Sequence, residues 1–213
     1  EHASDRYELV SAGDAGWLRT EPGVTVLDFE GGYALFDAEH DRLSEMRRDS
    51  QESILRAISD NQLRLVYQPK VNMRSGEVFG MEALIRWQHP ECGLIPPAEF
   101  LPYIQGSDLE QAVGEWVMQQ AMTQLGKWHA AGLTLGVSVN ISVNHLLQPD
   151  FHDFLQALLA QHHGVPSSCL ELEVLESAAI GDVEQAITIM QRCRELGVDF
   201  SLDDFGTGYS SLI

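Results

Sequence analysis

Four oxygen-bearing side chains stand near the ends of strand-like segments of this sequence: Glu82, Asn140, Glu173 and Asp203, with Asp204 directly after the last. The intervals between the four are 58, 33 and 30 residues, and the two shorter ones match about one strand–helix–strand repeat. Three carboxylates and an amide make a set of hard oxygen donors suited to Mg²⁺ or Mn²⁺. Side by side, Asp203 and Asp204 would repel until one took up a proton. Divalent cations remove that repulsion, and one bridging carboxylate lets the pair serve two of them. Paired cations of this kind are a standard apparatus for hydrolysing phosphodiesters. Each residue also has a plainer reading. An Asp-Asp pair before glycine is turn chemistry, Glu173 equally suits a salt bridge at a rim, and Asn140 equally suits a backbone cap. Glu82 lies within "GMEALI", between apolar neighbours, where a buried carboxylate needs a partner.

Strand-like and helix-like segments alternate from Leu63 onward. "LRLVYQPKV" and "VFGMEALIRW" read as strands around the turn "NMRSGE", and "PPAEFLPYI" and "DLEQAVGEWVMQQAMTQLGKWHAAG" read as helices. A strand "LGVSVNIS", a helix "DFHDFLQALLAQHHG", a strand "CLELEVLE", a helix "DVEQAITIMQRCRELG" and a strand "VDFSLDD" follow. That order predicts an α/β fold with a mainly parallel sheet, either a barrel or a doubly wound sheet. Strand side chains alternate faces, so Glu82 shares a face with Arg86, Asn140 with Ser138, Glu173 with Glu171, and Asp203 with Ser201. In a parallel barrel such positions converge at the mouth formed by the strand C-termini, where barrel enzymes build their sites. The stripe in "VGEWVMQQAMTQLGKWH" has helical spacing and predicts core. His162-His163 end an amphipathic helix and carry no metal motif.

Upstream, residues 1 to 32 mix Gly, Pro and acids and predict one strand around Val24 to Leu27, and "YALFDAEHD" reads as strand-like and then polar. Between about His40 and Asn61, Leu43, Met46, Ile54, Leu55 and Ile58 recur at helical steps. The expected division is a poorly defined segment over 1–41, a linker helix over 42–62 and the main domain over 63–213.

Composition narrows the partners. The 213 residues carry a formal net charge of −19, which excludes a basic patch gripping a nucleic-acid polymer. An anionic ligand stays possible where cations stand between it and the acids. No apolar run approaches the 18 or so residues of a membrane span. Three scattered cysteines, Cys92, Cys169 and Cys193, suggest reduced thiols in a cytoplasmic protein.

The segments "YQPKV", "MEALIRWQHPECGLIPPAEFLP", "VSVNIS", "LELEVLES" and "DDFGTGYSSL" together resemble the EAL domain family, bacterial phosphodiesterases that hydrolyse cyclic di-GMP to linear pGpG. The resemblance runs from about Gln51 to Ile213. It implies a variant of the eight-stranded TIM-like β/α barrel whose first strand runs antiparallel. It also implies that Glu82, Asn140, Glu173 and Asp203 ligate one metal ion, Mg²⁺ or Mn²⁺. Asp203 would bridge to a second ion that Asp204 also holds, and Gln68 and Arg86 would contact the ligand. Arg86 suits that role, because its guanidinium offers a forked donor to phosphate. "DFGTGYSS" resembles a mobile family loop that Glu176 would steady, and the family arrangement implies a homodimer through the barrel.

Two positions depart from the family pattern. Leu175 stands where the family has threonine, and Gln105 where it has an acid; neither is a ligand position. Five barrel strands are readable, so an eight-stranded barrel is expected to be incomplete here, without the family's later lysine and second-metal glutamate. A diguanylate cyclase (GGDEF) domain often precedes such domains. "YALFDAEHDRLSEMRRDSQESILRAISDNQL" resembles the end of such a domain with its linker helix, "GVTVL" is faintly similar to a late strand of it, and residues 1–41 carry no "GGDEF" signature, so no cyclase activity is expected. Two functions remain open at this point: a two-metal phosphodiesterase, and an inactive module that senses cyclic di-GMP and acts on a partner protein.

Overall fold

The computed structural model describes residues 8–12, 15–19, 24–29, 32–175 and 183–203. The chain divides into two units, residues 1–53 and 54–213.

In the first unit, β1 (Glu8–Ala12), β2 (Ala15–Arg19), β3 (Val24–Phe29) and β4 (Gly32–Asp37) form an antiparallel sheet in sequence order. The sequence reading expected a strand around Val24 to Leu27 and a strand-like start to "YALFDAEHD", and these are β3 and β4. The pair β1–β2 was missed. Ala12 pairs with Ala15 and Phe29 with Gly32, and the sequence between each pair, "GD" and "EG", is of a turn-forming composition. Helix α1 (Ala38–Ser59) matches the expected helix. The boundary between units falls inside it, at 53/54, because Ile54 and Ala57 are fully buried in the core of the second unit. Leu43, Met46 and Leu55, which the periodicity also marked, are about half exposed.

The second unit is built on one sheet. Strands β5 (Leu63–Val71) and β6 (Val78–His89) form an antiparallel hairpin, and β8 (Gly136–Ile141), β9 (Leu170–Leu175) and β10 (Asp199–Asp203) continue parallel to β6. The order is β10-β9-β8-β6-β5, with short β7 (Gly93–Ile95) paired to β6 outside that path. An antiparallel first strand followed by parallel ones is the expected arrangement, and the expected five strands are those that form the sheet path. Helices α2 (Pro97–Ile104), α3 (Asp108–Ala130), α4 (Val143–Leu146), α5 (Phe151–Gln161) and α6 (Val183–Arg194) supply the crossovers. Among the described residues no helix is long and apolar enough to cross a membrane.

Alternation on β6 explains how the sheet divides its two faces. Ala83, Ile85 and Trp87 are buried, while Glu82, Leu84 and Arg86 between them are partly accessible. The buried row packs with Val113, Val117, Met118, Ala121, Met122 and Leu125, the stripe that makes α3 a core helix. Trp87 also meets Phe100 edge-on, at 5.8 Å between ring centroids. The other face is thereby left to polar side chains, and that is where the candidate site lies.

One buried group on the helical side has a pH consequence. His145, on α4, is 3% exposed. Its ring meets Phe151 edge-on at 5.2 Å and is tilted against Phe154 at 6.4 Å. Burial lowers its pKa, and the nearby carboxylates of Glu115, Glu110 and Asp150 push it up without overcoming the burial. Its folded pKa therefore lies below the unfolded value of about 6.5. The associated stability is complete above about pH 6.5 and is lost as pH falls through the depressed pKa. Urea midpoints measured from pH 7.5 to 5 should fall less steeply in His145→Gln than in wild type. The difference in slope is at most about 1.4 kcal/mol per pH unit, and identical slopes would show that the ring titrates normally.

Candidate functional site

Register decides which of the predicted residues meet. Gln68 stands opposite Glu82 across the β5–β6 hairpin, Glu82 beside Ser138, Asn140 beside Glu173, and Glu173 beside Ser201. Glu82, Asn140 and Glu173 thus come to neighbouring strands on one face of the sheet. The Asn140 Nδ2 donates to Glu82 Oε1 at 2.9 Å. Asp203 is the last residue of β10, its backbone in register with Leu175. Asp204 and Glu176 lie outside the described residues.

That single hydrogen bond orients the site. Asn140 donates an N–H to Glu82, and its Oδ1 is buried without a hydrogen-bond partner among the described residues. A buried amide oxygen left unpaired costs about 1–3 kcal/mol. A cation between Asn140, Glu82 and Glu173 would satisfy it, so the donor set fits a hard divalent ion. Among the described residues no group of three His, Cys, Asp or Glu forms such a centre alone. The reading therefore depends on the amide oxygen and on Asp203 and Asp204.

Glu173 is 8% exposed and held from below. The Lys70 ammonium donates to Glu173 Oε1 at 2.8 Å, to Glu171 Oε2 at 2.8 Å and to Ser138 Oγ at 2.6 Å. Ser138 Oγ in turn donates to Glu171 Oε2 at 2.6 Å. Burial alone would lower the Lys70 pKa, but the Glu171 and Glu173 carboxylates reverse that and hold it above its ordinary value. Burial alone would raise Glu171, and the Lys70 and Ser138 donors bring it below the ordinary carboxylate value. Sequence reasoning put Glu171 and Ser138 on the right face but missed Lys70. The signal was present, because alternation in "LRLVYQPKV" gives Gln68 and Lys70 the same face.

The two proposed ligand contacts sit differently. Gln68 is exposed at the level of Glu82. Arg86 is partly buried four residues further along β6, and its Nη1 donates to the Ile85 carbonyl at 2.7 Å. Two surface cavities lie elsewhere, one against β5 and α3 near Tyr67 and Trp116, the other beside His145. Neither is lined by Glu82, Asn140 or Glu173, and the donor chemistry outweighs concavity in locating the site.

Known proteins resemble this chain in sequence and in fold. Cyclic di-GMP phosphodiesterase PA2567 of Pseudomonas aeruginosa is 35% identical over 203 residues, covering 93% of this chain and 34% of that protein. Cyclic di-GMP phosphodiesterase PdeR of Escherichia coli is 35% identical over 212 residues, all of this chain and 31% of that protein. The chain thus spans about a third of the length of these curated relatives. A solved structure of the PaMucR phosphodiesterase in complex with c-di-GMP superposes with a TM-score of 0.71 at 38% identity, covering 76% of this chain and 66% of that one. With such neighbours, the open sheet of the second unit is part of a TIM-like (β/α)₈ barrel. Residues 51–213 match the EAL domain, and with this fold and these relatives the chain belongs to the EAL domain family.

Proposed function

We propose that the protein hydrolyses the cyclic dinucleotide c-di-GMP to linear pGpG, one water adding across one phosphodiester bond, with two Mg²⁺ or Mn²⁺ ions. The observation that carries this reading is the meeting of Glu82, Asn140 and Glu173 on one face, with the Asn140 Oδ1 left free. The names of PA2567, PdeR and PaMucR support the substrate. Glu82, Asn140, Glu173 and Asp203 would hold one ion, and Asp203 with Asp204 the other. When bound, such ions polarise the phosphate and make a hydroxide available near neutral pH. Gln68 and Arg86 are assigned to the dinucleotide. A guanidinium four residues beyond Glu82 on the same face suits a phosphate oxygen. Glu176 is assigned to steadying the segment that follows Asp204.

Every ligand type proposed here stands in the sequence, which favours turnover over sensing alone. Chelation tests the proposal. Adding EDTA to the intact protein should cut pGpG formation by about a hundredfold or more, and Mg²⁺ or Mn²⁺ should restore it. Unchanged hydrolysis under EDTA would overturn the metal reading. Tight c-di-GMP binding with no pGpG under either ion would overturn the enzyme reading.

A further inference from the structure

Lys70 is the residue whose contacts the proposed chemistry does not use. It enters the inner face at the start of the parallel strands, opposite Gly80. An ideal Cβ at Gly80 would lie 3.3 Å from the Gly136 carbonyl oxygen and 4.0 Å from Lys70 Cδ. Gly80 and Gly136 are neighbours in register. Two adjacent positions without side chains thus leave the path along which Lys70 crosses β6 and β8 to reach Glu171 and Glu173. A lysine stem laid over glycines has its ammonium tied to three acceptors, Ser138, Glu171 and Glu173.

We propose that Lys70 is a positioning residue for the cation site: it clamps Glu173 through Oε1 and so presents the other carboxylate oxygen, Oε2, to the ion. The proposal rests on the metal reading given above. Two forces act on Lys70, and their balance decides what its removal does. Its positive charge opposes a nearby cation, but Glu171, at the same 2.8 Å, balances that charge within the pair. Once the pair is neutral, what remains toward Glu173 is the directional hydrogen bond. Groups that orient a ligand in this way typically account for a 10–100-fold change in metal affinity.

The double variant Lys70→Met with Glu171→Gln separates the two effects, because it deletes both members of the pair and leaves the net charge unchanged. Mn²⁺ alone is titrated into the intact protein by calorimetry, with thermal melts alongside. The double variant should bind Mn²⁺ about 10–100-fold more weakly than wild type, and Lys70→Arg, which keeps a cationic donor, should recover part of that loss. Wild-type Mn²⁺ affinity in a folded double variant overturns the clamp and leaves the metal site standing. No Mn²⁺ binding by the wild-type protein overturns the metal reading itself. Should the double variant fail to fold, Lys70→Gln with Glu171→Gln replaces it; a wild-type affinity there, with the pair again deleted and the net charge unchanged, equally overturns the proposal.

Discussion

Glu82→Gln is expected to reduce c-di-GMP hydrolysis by the intact protein by about a thousandfold or more, with little change in melting temperature. The argument starts from the pairing with Asn140. A glutamine at position 82 still offers an oxygen to Asn140 Nδ2, so the 2.9 Å contact can survive. What disappears is the negative charge. Metal ions stabilise transition-state charge by several kcal/mol, and each 1.36 kcal/mol is worth about tenfold in rate. Stability should hold because the substitution removes one of several like charges gathered at the mouth and breaks no core packing. The assay is pGpG formation at saturating Mg²⁺, beside a thermal melt. Turnover within about tenfold of wild type would remove Glu82 from the ligand set and leave Asn140 Oδ1 without the cation proposed for it.

Gly114→Ala should destabilise the second unit by about 2 kcal/mol, although alanine is the better helix former by about 1 kcal/mol. Gly114 lies within α3. An ideal Cβ there would sit 2.3 Å from His145 Nδ1 and 2.8 Å from Cε1. The ring has little room to retreat, being 3% exposed and edge-on to Phe151. Overpacking of this kind costs about 1–3 kcal/mol, more where the neighbours are rigid. Urea unfolding at pH 7.5 measures it. Combining Gly114→Ala with His145→Ala should recover most of the loss, a coupling of about 2 kcal/mol between touching residues. A single variant as stable as wild type would mean that the imidazole turns aside freely.

The strands of the second unit were legible because each alternates cleanly: Val137, Val139 and Ile141 toward the helices, Ser138 and Asn140 away from them. Helix α3 was legible for the same reason at helical period. The fold class, the antiparallel first strand and the three site residues Glu82, Asn140 and Glu173 follow from those patterns together with the family motifs. The pair β1–β2 was harder, since its two segments "ELVSA" and "AGWLR" carry little apolar alternation. Lys70 was missed for a different reason. Its role depends on partners 101 and 103 residues away and on glycines on two other strands, and no local window contains both. The wedge of His145 against Gly114 is likewise a contact between elements. Asp204 and Glu176, read from motif alone, lie outside the described residues.

The β5–β6 hairpin carries a consequence for how this sequence can vary. Its register shifts between Lys70 and Val71, so that Lys70 faces Gly80 while Val71 faces Val78, leaving Phe79 as the extra residue. Since strand side chains alternate, one residue inserted or deleted between Gln68 and Lys70 would send one of the two to the opposite surface. Single-residue insertions and deletions can be absorbed in the link 72–77 but not inside the strand. The length of this hairpin is under the same constraint as the chemistry of its side chains.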